Sequence, residues 1–489
     1  MKTGFIAFAV VFCSTTQCYC AERAGGYRGI WYANQATGDE YRFKYSGGFA
    51  TYPQQHVPIA IYNAAANKTF FCYGGSTGKP KELACMVSFF DHATGTVPRP
   101  SVVIVKHTDD AHENPTISLD DAGHLWVFCN THGPANNSYI FRSKAPYSID
   151  EFEQVARTNF SYSQPWFVPG RGFFFLHTRY DQGRRFLHWM TSADGYAWSE
   201  PTLLAAVEMG HYQISNRQGE RIITAFNYHP LKGGLNARTN LYYLETSDFG
   251  RTWRTAAGKS VTTPIREKRN EALVFDYETE GKLVYLKDIN FDAAGRPVVL
   301  YLTSKGFEPG PANGPREWFI AHWNGETWER TPFTTTDHNY DFGSLYIEEK
   351  LWRIIAPTDP GPQSGGWGRA EGERPATRQL TSRTGGSLRS TPGTPSLLYG
   401  AGGEMVMWTS TDEGRTWQKV KQLTHDSKLS HTYARRPVDA NPAFYALWAD
   451  GNPLERSESR LYFTDREGTQ VWRLPAHMAH DFERPEIAW

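Results

Sequence analysis

Histidines, tyrosines and arginines recur at matched places along the 489-residue chain, flanking short apolar runs. One run is entered through His112-Glu-Asn114-Pro and left through Cys129-Asn-Thr-His132-Gly. The next is entered through Tyr162-Ser-Gln164-Pro and left through His177-Thr-Arg179-Tyr180. A third opens with His211-Tyr-Gln213 and ends in Asn227-Tyr228-His229. The pattern returns in Tyr52-Pro-Gln54-Gln55-His56, His338-Asn339-Tyr340-Asp341 and His431-Thr-Tyr433-Ala-Arg435-Arg436. Imidazoles and phenols transfer protons, and a guanidinium grips an oxyanion in a planar fork. One such His is usually a bonded structural residue. Several at equivalent places in successive repeats point to a shared site.

The elements that carry these residues are apolar strand pairs joined by polar Gly or Asn turns. They cover 57–73, 114–128, 164–176, 213–226, 285–302, 343–356 and 436–448. Short strands at regular spacing with turn signals between them describe a meander-type β protein, and copies this far apart suggest propeller blades. The expected fold is an all-β, seven-bladed β-propeller, closed by 26–32 and 461–472 sharing a blade. A second repeat supports it. T-S-D-F-G-R-T-W begins at Thr246 and S-T-D-E-G-R-T-W at Ser410, with degenerate copies from Thr191 to Trp198 and Trp323 to Trp328. These look like the Asp-box between the outer strands of propeller blades, most familiar from sialidases. In it Asp caps a tight turn, Gly takes the positive φ and Trp packs between blades. It marks a fold rather than a substrate site.

Composition narrows the function classes. Lys plus Arg number 51 and Asp plus Glu 51, so no global field draws the chain to nucleic acid or to an anionic membrane. Lys2 and the apolar run from Gly4 to Cys13 have the order of a secretory signal, too short to span a bilayer. Residues 1–21 are therefore expected to be removed, leaving one catalytic domain over 22–489, secreted and monomeric, since a closed propeller has no edge to protect. Of the six cysteines Cys72, Cys85 and Cys129 would remain. A Cys72–Cys85 hairpin disulfide and three buried thiols acting as small hydrophobes are the two readings. Residues 360–395, rich in Gly, Ser, Pro and Arg, read as an insertion loop.

The opening G-Y-R-G-I-W-Y-A-N-Q, then K-Y-S-G-G-F-A-T-Y-P-Q-Q-H, resembles the BNR-repeat proteins that include secreted ulvan lyases. These are propellers acting on the sulfated, uronate-containing polysaccharide of green algae. The resemblance implies β-elimination at a uronate, leaving an unsaturated uronyl end, with a His, a Tyr and an Arg at the centre. Carried onto this chain, the pattern fits His112, His132, Tyr162 and Arg179 as catalytic residues, with Tyr180 and Tyr228 as rivals for the tyrosine. Asn114, Gln164, Tyr180, His211, Tyr228 and Arg435 are the expected substrate-binding residues. The basic insertion is not part of the family pattern.

The residue types suit that reaction on their own terms. Removing the C5 proton of a uronate builds charge beside its carboxylate, which a paired Arg offsets. A His or Tyr then serves as base, and a second such group protonates the departing O4. A tyrosine base needs neighbouring cations to lower its pKa from about 10. No cofactor is required when Arg neutralises the carboxylate; a structural divalent metal is left open, with the His338–Asp341 cluster as its place. Two other classes compete. A sialidase-like hydrolase is favoured by the Asp-boxes, but no R-I-P motif is present. A non-catalytic glycan-binding propeller would hold the polymer without shortening it.

Overall fold

The computed structural model describes residues 18–37, 43–48, 52–361 and 401–489. The insertion at 360–395 and the apolar leader therefore lie almost wholly outside the described residues. Within them the chain is all-β, and its only helical turns are the short 3-10 segments Ala111–Glu113, Gly234–Ala237 and Pro311–Asn313.

Seven antiparallel meanders follow one another, each with its strands in chain order. Their first strands are Ala60–Asn63, Pro115–Leu119, Ser161–Val168, Gln213–Gln218, Leu283–Phe291, Ser344–Glu348 and Ser430–Arg435, numbered here as blades 1 to 7. Each first strand packs against the next, and the segment just after the last returns to the first. Val438 bridges Ile61 in parallel, its N–H donating to Ala60 O and its carbonyl accepting from Tyr62 N, both at 2.9 Å. The strands thus form a closed propeller ring. The sequence pattern placed six of the hairpins correctly and started the seventh late, since its inner strand ends at Arg435 rather than beginning at Arg436.

The way the ends meet differs from the expectation. Blade 7 takes all four of its strands from the C-terminal part of the chain, ending in Leu461–Thr464 and Val471–Arg473. Gly29–Ala36 instead pairs with Phe43–Gly48 and Ser457–Ser459 in a separate three-stranded sheet. Glu22–Arg23 adds an outer strand to blade 1, and Tyr27 N donates to Pro475 O. Blade 7 has its own fourth strand, and the N-terminal strands instead pack on the inner aromatic residues, Tyr32 against Tyr52 at 4.5 Å and Tyr45 against Tyr340 at 5.0 Å. Cys72, Cys85 and Cys129 are free and buried among the blade 1 and blade 2 side chains, acting as small hydrophobes.

The Asp/Gly/Trp repeats sit where the third strand of a blade turns into the fourth. In blade 4 the Asp248 carboxylate accepts from Thr252 N at 2.9 Å, Thr252 Oγ1 at 2.6 Å and Thr246 Oγ1 at 2.9 Å. Gly250 has φ +83°, and a Cβ there would stand 2.8 Å from the ring of Trp189 in blade 3. Asp412 makes the same bonds to Thr416 and Ser410. A further turn of this kind, on Asp465 and Thr469, is too degenerate to show in the sequence.

Such a turn holds the blade edge and touches nothing near the axis. Asp248→Ala removes charge-assisted bonds at an exposed site, a loss of about 1–2 kcal/mol. Thermal melts should show Tm falling by a few degrees while turnover of the folded fraction stays parental. A parental Tm with reduced turnover would refute that assignment.

Candidate active site

Polar side chains at the inner-strand ends collect on one face of the ring. Asp110 caps the 3-10 turn ahead of blade 2, its carboxylate accepting from His112 N at 2.9 Å. The same carboxylate takes two imidazoles. Oδ1 meets His112 Nδ1 and Oδ2 meets His132 Nδ1, the latter at 2.6 Å. The two rings stack with centroids 4.1 Å apart and planes at 17°. With Nδ1–H held by the carboxylate, each Nε2 is left with its lone pair. His112 Nε2 and the Tyr52 hydroxyl share a hydrogen bond of 2.8 Å. The His132 side chain is 30% exposed, the more open of the two imidazoles. Burial, opposed by the bond to Asp110 but aided by His112, moves the His132 pKa below its usual value. Burial would raise the Asp110 carboxyl, but the two imidazoles reverse that and hold it far below the carboxylate range.

Beside this trio lie two buried arginines and a phenol. Arg185 is 6% exposed and Arg238 4% exposed, and neither forms a salt bridge with any described residue. Arg185 Nε and Nη2 donate to the Tyr180 hydroxyl at 3.0 and 2.7 Å, while Nη1 has no acceptor among the described residues. Its guanidinium lies over the rings of Tyr162, Tyr180 and Tyr212, at 4.8, 5.1 and 4.6 Å. Arg238 lies over Tyr212 and Tyr285 at 4.7 and 4.6 Å and donates to the Tyr340 hydroxyl at 3.3 Å. Lys44, also buried, donates to Asn236 Oδ1 at the rim. Burial and Arg238 bring its ammonium pKa down to about 8.

Tyr212 stands between the two guanidinium groups. Burial opposes its ionisation, yet Arg185 and Arg238 outweigh burial and bring the phenol down to about 7. Tyr162, whose hydroxyl donates to Tyr212 at 3.5 Å, goes the other way, because its burial is the larger effect. One phenol is thus ready to lose its proton near neutral pH and its neighbour keeps one. Local backbone fixes both. A β-bulge between Ser161 and Gln164 puts Tyr162 at φ +54° and turns its ring toward the axis. Asn227 holds the Tyr212 backbone at both ends, accepting from its N–H and donating from its own N–H to its carbonyl. Gly210, φ +113°, lets that loop run against the Arg185 backbone, where a Cβ would come within 1.8 Å of Arg185 O.

Of the residues singled out by sequence, His112, His132, Tyr162 and Tyr180 meet here. Arg179 does not. It lies one residue from Tyr180 on the opposite face of its strand, beside His177 and His188, while Arg185 is cross-strand from Tyr180. Asn114 and Gln164 are hub residues. Asn114 Nδ2 donates to Tyr52 O, and Gln164 ties Gln55 O to Gln213 O at 3.0 and 2.9 Å. His211 is fully bonded, accepting from Val207 N and donating to Asn227 O, and burial lowers its pKa to about 4. Tyr228 packs on Tyr242 and faces Glu278 rather than the cluster. Arg435 is spent on ring closure, donating to Pro53 O at 2.9 Å and to His56 O. Sequence reasoning missed Asp110, Arg185, Tyr212 and Arg238. Asp110 had a signal, an Asp two residues ahead of a His at a strand entrance.

Two clusters have the residue types of a metal site. Asp110, His112 and His132 have ligand atoms within 4.8 Å of one another. Their parallel rings send the two Nδ1–H groups side by side onto separate carboxylate oxygens instead of converging on one point, which is hydrogen-bond geometry. At His338–Asp341 the Asp341 carboxylate accepts from Gly402 N and His338 N, and His338 Nδ1 accepts from Tyr340 N. Those donors face the chain itself.

Residues 99–336 match the family described as BNR repeat-containing family member. An ulvan lyase, PL25, of Pseudoalteromonas sp. (strain PLSV) is 23% identical over 317 residues, 55% of this chain and 64% of that protein. An ulvan lyase of Alteromonas sp. (strain LOR) is 21% identical over 253 residues, 45% of this chain and 52% of that protein. The chain thus spans about half to two thirds of the length of these curated relatives. Among solved structures, a PL25 ulvan lyase bound to -[GlcA(1-4)Rha3S]- superposes with a TM-score of 0.66 at 16% identity, covering 91% of this chain and 96% of that one. That likeness shows the fold.

The acidity of Tyr212 can be read without substrate. As pH rises through about 7 its phenol loses a proton, so tyrosinate absorbance from one of the 26 tyrosines should grow there. Tyr212→Phe should erase that step and leave the alkaline titration of the others. A parental chain with no tyrosinate step below pH 9 would contradict the arginine sandwich.

Proposed function

We propose that this chain is a secreted polysaccharide lyase that cleaves ulvan by β-elimination at the uronate. The observation that carries the reading is an acidified phenol, Tyr212, held between two buried guanidinium groups that have no carboxylate partner among the described residues. The relatives named above, and the uronate-containing oligosaccharide in the superposed lyase, support the same substrate class.

In this reading Arg185 receives the uronate carboxylate, its unpartnered Nη1 offering a donor that the fold leaves unspent. Charge that builds on the carboxylate as the C5 proton leaves is met by a fixed cation in a site of low dielectric. The Tyr212 phenolate, stabilised by Arg238, takes the C5 proton. Electrons of the C5–H bond become the C4–C5 double bond, and the C4–O4 bond breaks. The proton needed by O4 returns from Tyr212, with the Tyr162 hydroxyl hydrogen-bonded to it. His132 offers its Nε2 lone pair to a sugar hydroxyl, and Asp110 with His112 keeps that ring in place. No step calls on Arg179, His211, Tyr228 or Arg435. Lys44 at the rim and Arg238 behind it add positive potential, suited to a sulfated chain despite zero net charge.

Ulvan treated with the protein should gain the near-ultraviolet absorbance of an unsaturated uronyl end. New reducing ends without that absorbance would make it a hydrolase, and binding without either a glycan-binding propeller. Arg185→Lys keeps the charge but loses the fork, and should cost about 100-fold in kcat/KM; Arg179→Lys should stay near the parental rate. Equal losses at both positions would refute the site. Since the ionised phenol is the base, the rate should fall about tenfold per pH unit below 7 and level off above it. A maximum near pH 5 would exclude Tyr212 as base.

A further inference from the structure

A buried ion pair lies behind the two histidines, and it touches both loops that carry them. Lys106, the last residue of the strand Ser101–Lys106, pairs through Nζ with the Glu113 carboxylate, and their side chains are 7% and 2% exposed. Glu113 directly follows His112. The same Nζ donates to the backbone carbonyl of Asn130, two residues before His132. The other Glu113 oxygen accepts from Asn136 Nδ2 at 2.9 Å, four residues after His132. One pair of opposite charges therefore holds the turn under His112 and both sides of the loop bearing His132.

Nothing in packing alone calls for charge here. A buried ion pair is seldom worth more than apolar groups of the same volume, but its hydrogen bonds have fixed directions and so fix geometry. Neighbouring bonds complete the frame. Asn130 Nδ2 donates to Asn114 O and Ser163 Oγ, each at 2.7 Å, and Asn159 Nδ2 donates to the carbonyls of Gly133 and Asn136 at 3.1 and 3.0 Å. Among the described residues, each side-chain bond of Lys106 and Glu113 to another part of the chain ends on a segment next to His112 or His132. The stack of His112 on His132, and the shared grip of Asp110, both require these two loops to keep their spacing.

We propose that Lys106 and Glu113 are positioning residues, an internal brace that sets the distance between the two imidazoles on Asp110. This rests on the lyase reading for its kinetic test but not for its structural one. Glu113→Gln keeps the Asn136 bond and the volume while removing the charge that Lys106 needs, so the Asn130 loop is freed on one side. Because the single variant leaves a buried ammonium unpaired and could fail to fold, Lys106→Met/Glu113→Gln is compared with it. The double variant should melt close to the parental Tm.

In that folded double variant kcat on ulvan should drop at least about tenfold with KM within about threefold, since misplaced groups raise the barrier more than they weaken binding. Lys106→Arg should recover most of the rate. Independently of any substrate, proton NMR should show the far-downfield Nδ1–H signals of His112 and His132, assigned through His112→Ala and His132→Ala, shifted or broadened in the double variant. Parental kcat together with unmoved Nδ1–H signals would overturn the brace. If the parent does not cleave ulvan but the signals move as described, the lyase reading fails and the brace stands.

Discussion

Two guanidinium groups buried beside one phenol constrain everything else in this molecule. Burying a cation without a partner is costly, and here the compensation comes from ring faces and neutral oxygens rather than from carboxylates. A positive field that no carboxylate among the described residues pairs with has two consequences. It makes Tyr212 acidic, and because one phenolate answers only one of the two guanidinium groups, it leaves the site suited to a second anion from a ligand. The Asp110 carboxylate of the cluster has both oxygens occupied by His112 and His132.

Such an arrangement needs a frame that cannot relax, and the ring supplies one. Its hub is built from buried polar side chains that bond backbone carbonyls of neighbouring blades. Gln164 links blades 1 and 4, Gln54 reaches Gly343, and Arg435 returns from blade 7 to Pro53 and His56. These hub residues have the same chemical types as the site and stand at the same strand ends. What separates the two groups is whether the polar atoms are consumed within the fold. Gln164 and His211 have none to spare; Arg185 and His132 do.

That distinction explains how far the sequence could be read. Repeated hairpins and Asp/Gly/Trp turns reveal an all-β propeller because each follows from local rules of alternation and turn chemistry. His112 and His132 are also legible, bracketing one hairpin. Arg185 was not, because side chains alternate along a strand and a one-residue error changes the face. Arg179 and Tyr180 are adjacent in sequence and on opposite faces in space. Register failed similarly at blade 4. Tyr162 enters the site through a bulge that blade 4 lacks, so the equivalent position there, His211, is bonded into the wall and the next residue, Tyr212, takes the place in the cluster. Arg238 stands at the entrance of the third strand of blade 4, as Arg185 does in blade 3, whereas Lys44 comes from an N-terminal strand outside the repeat, and only the closed ring brings them together.

The central claim is that the ligand of this cavity is a uronate whose carboxylate completes the charge on Arg185. A crystal structure of the Tyr212→Phe variant with a bound ulvan oligosaccharide tests it most directly. The account predicts a uronate carboxylate oxygen at hydrogen-bond distance, about 2.7–3.2 Å, from an Arg185 terminal nitrogen, with C5 facing the ring at position 212. A uronate seated elsewhere, with its carboxylate on Arg179 or with Arg185 still unpartnered, would contradict it.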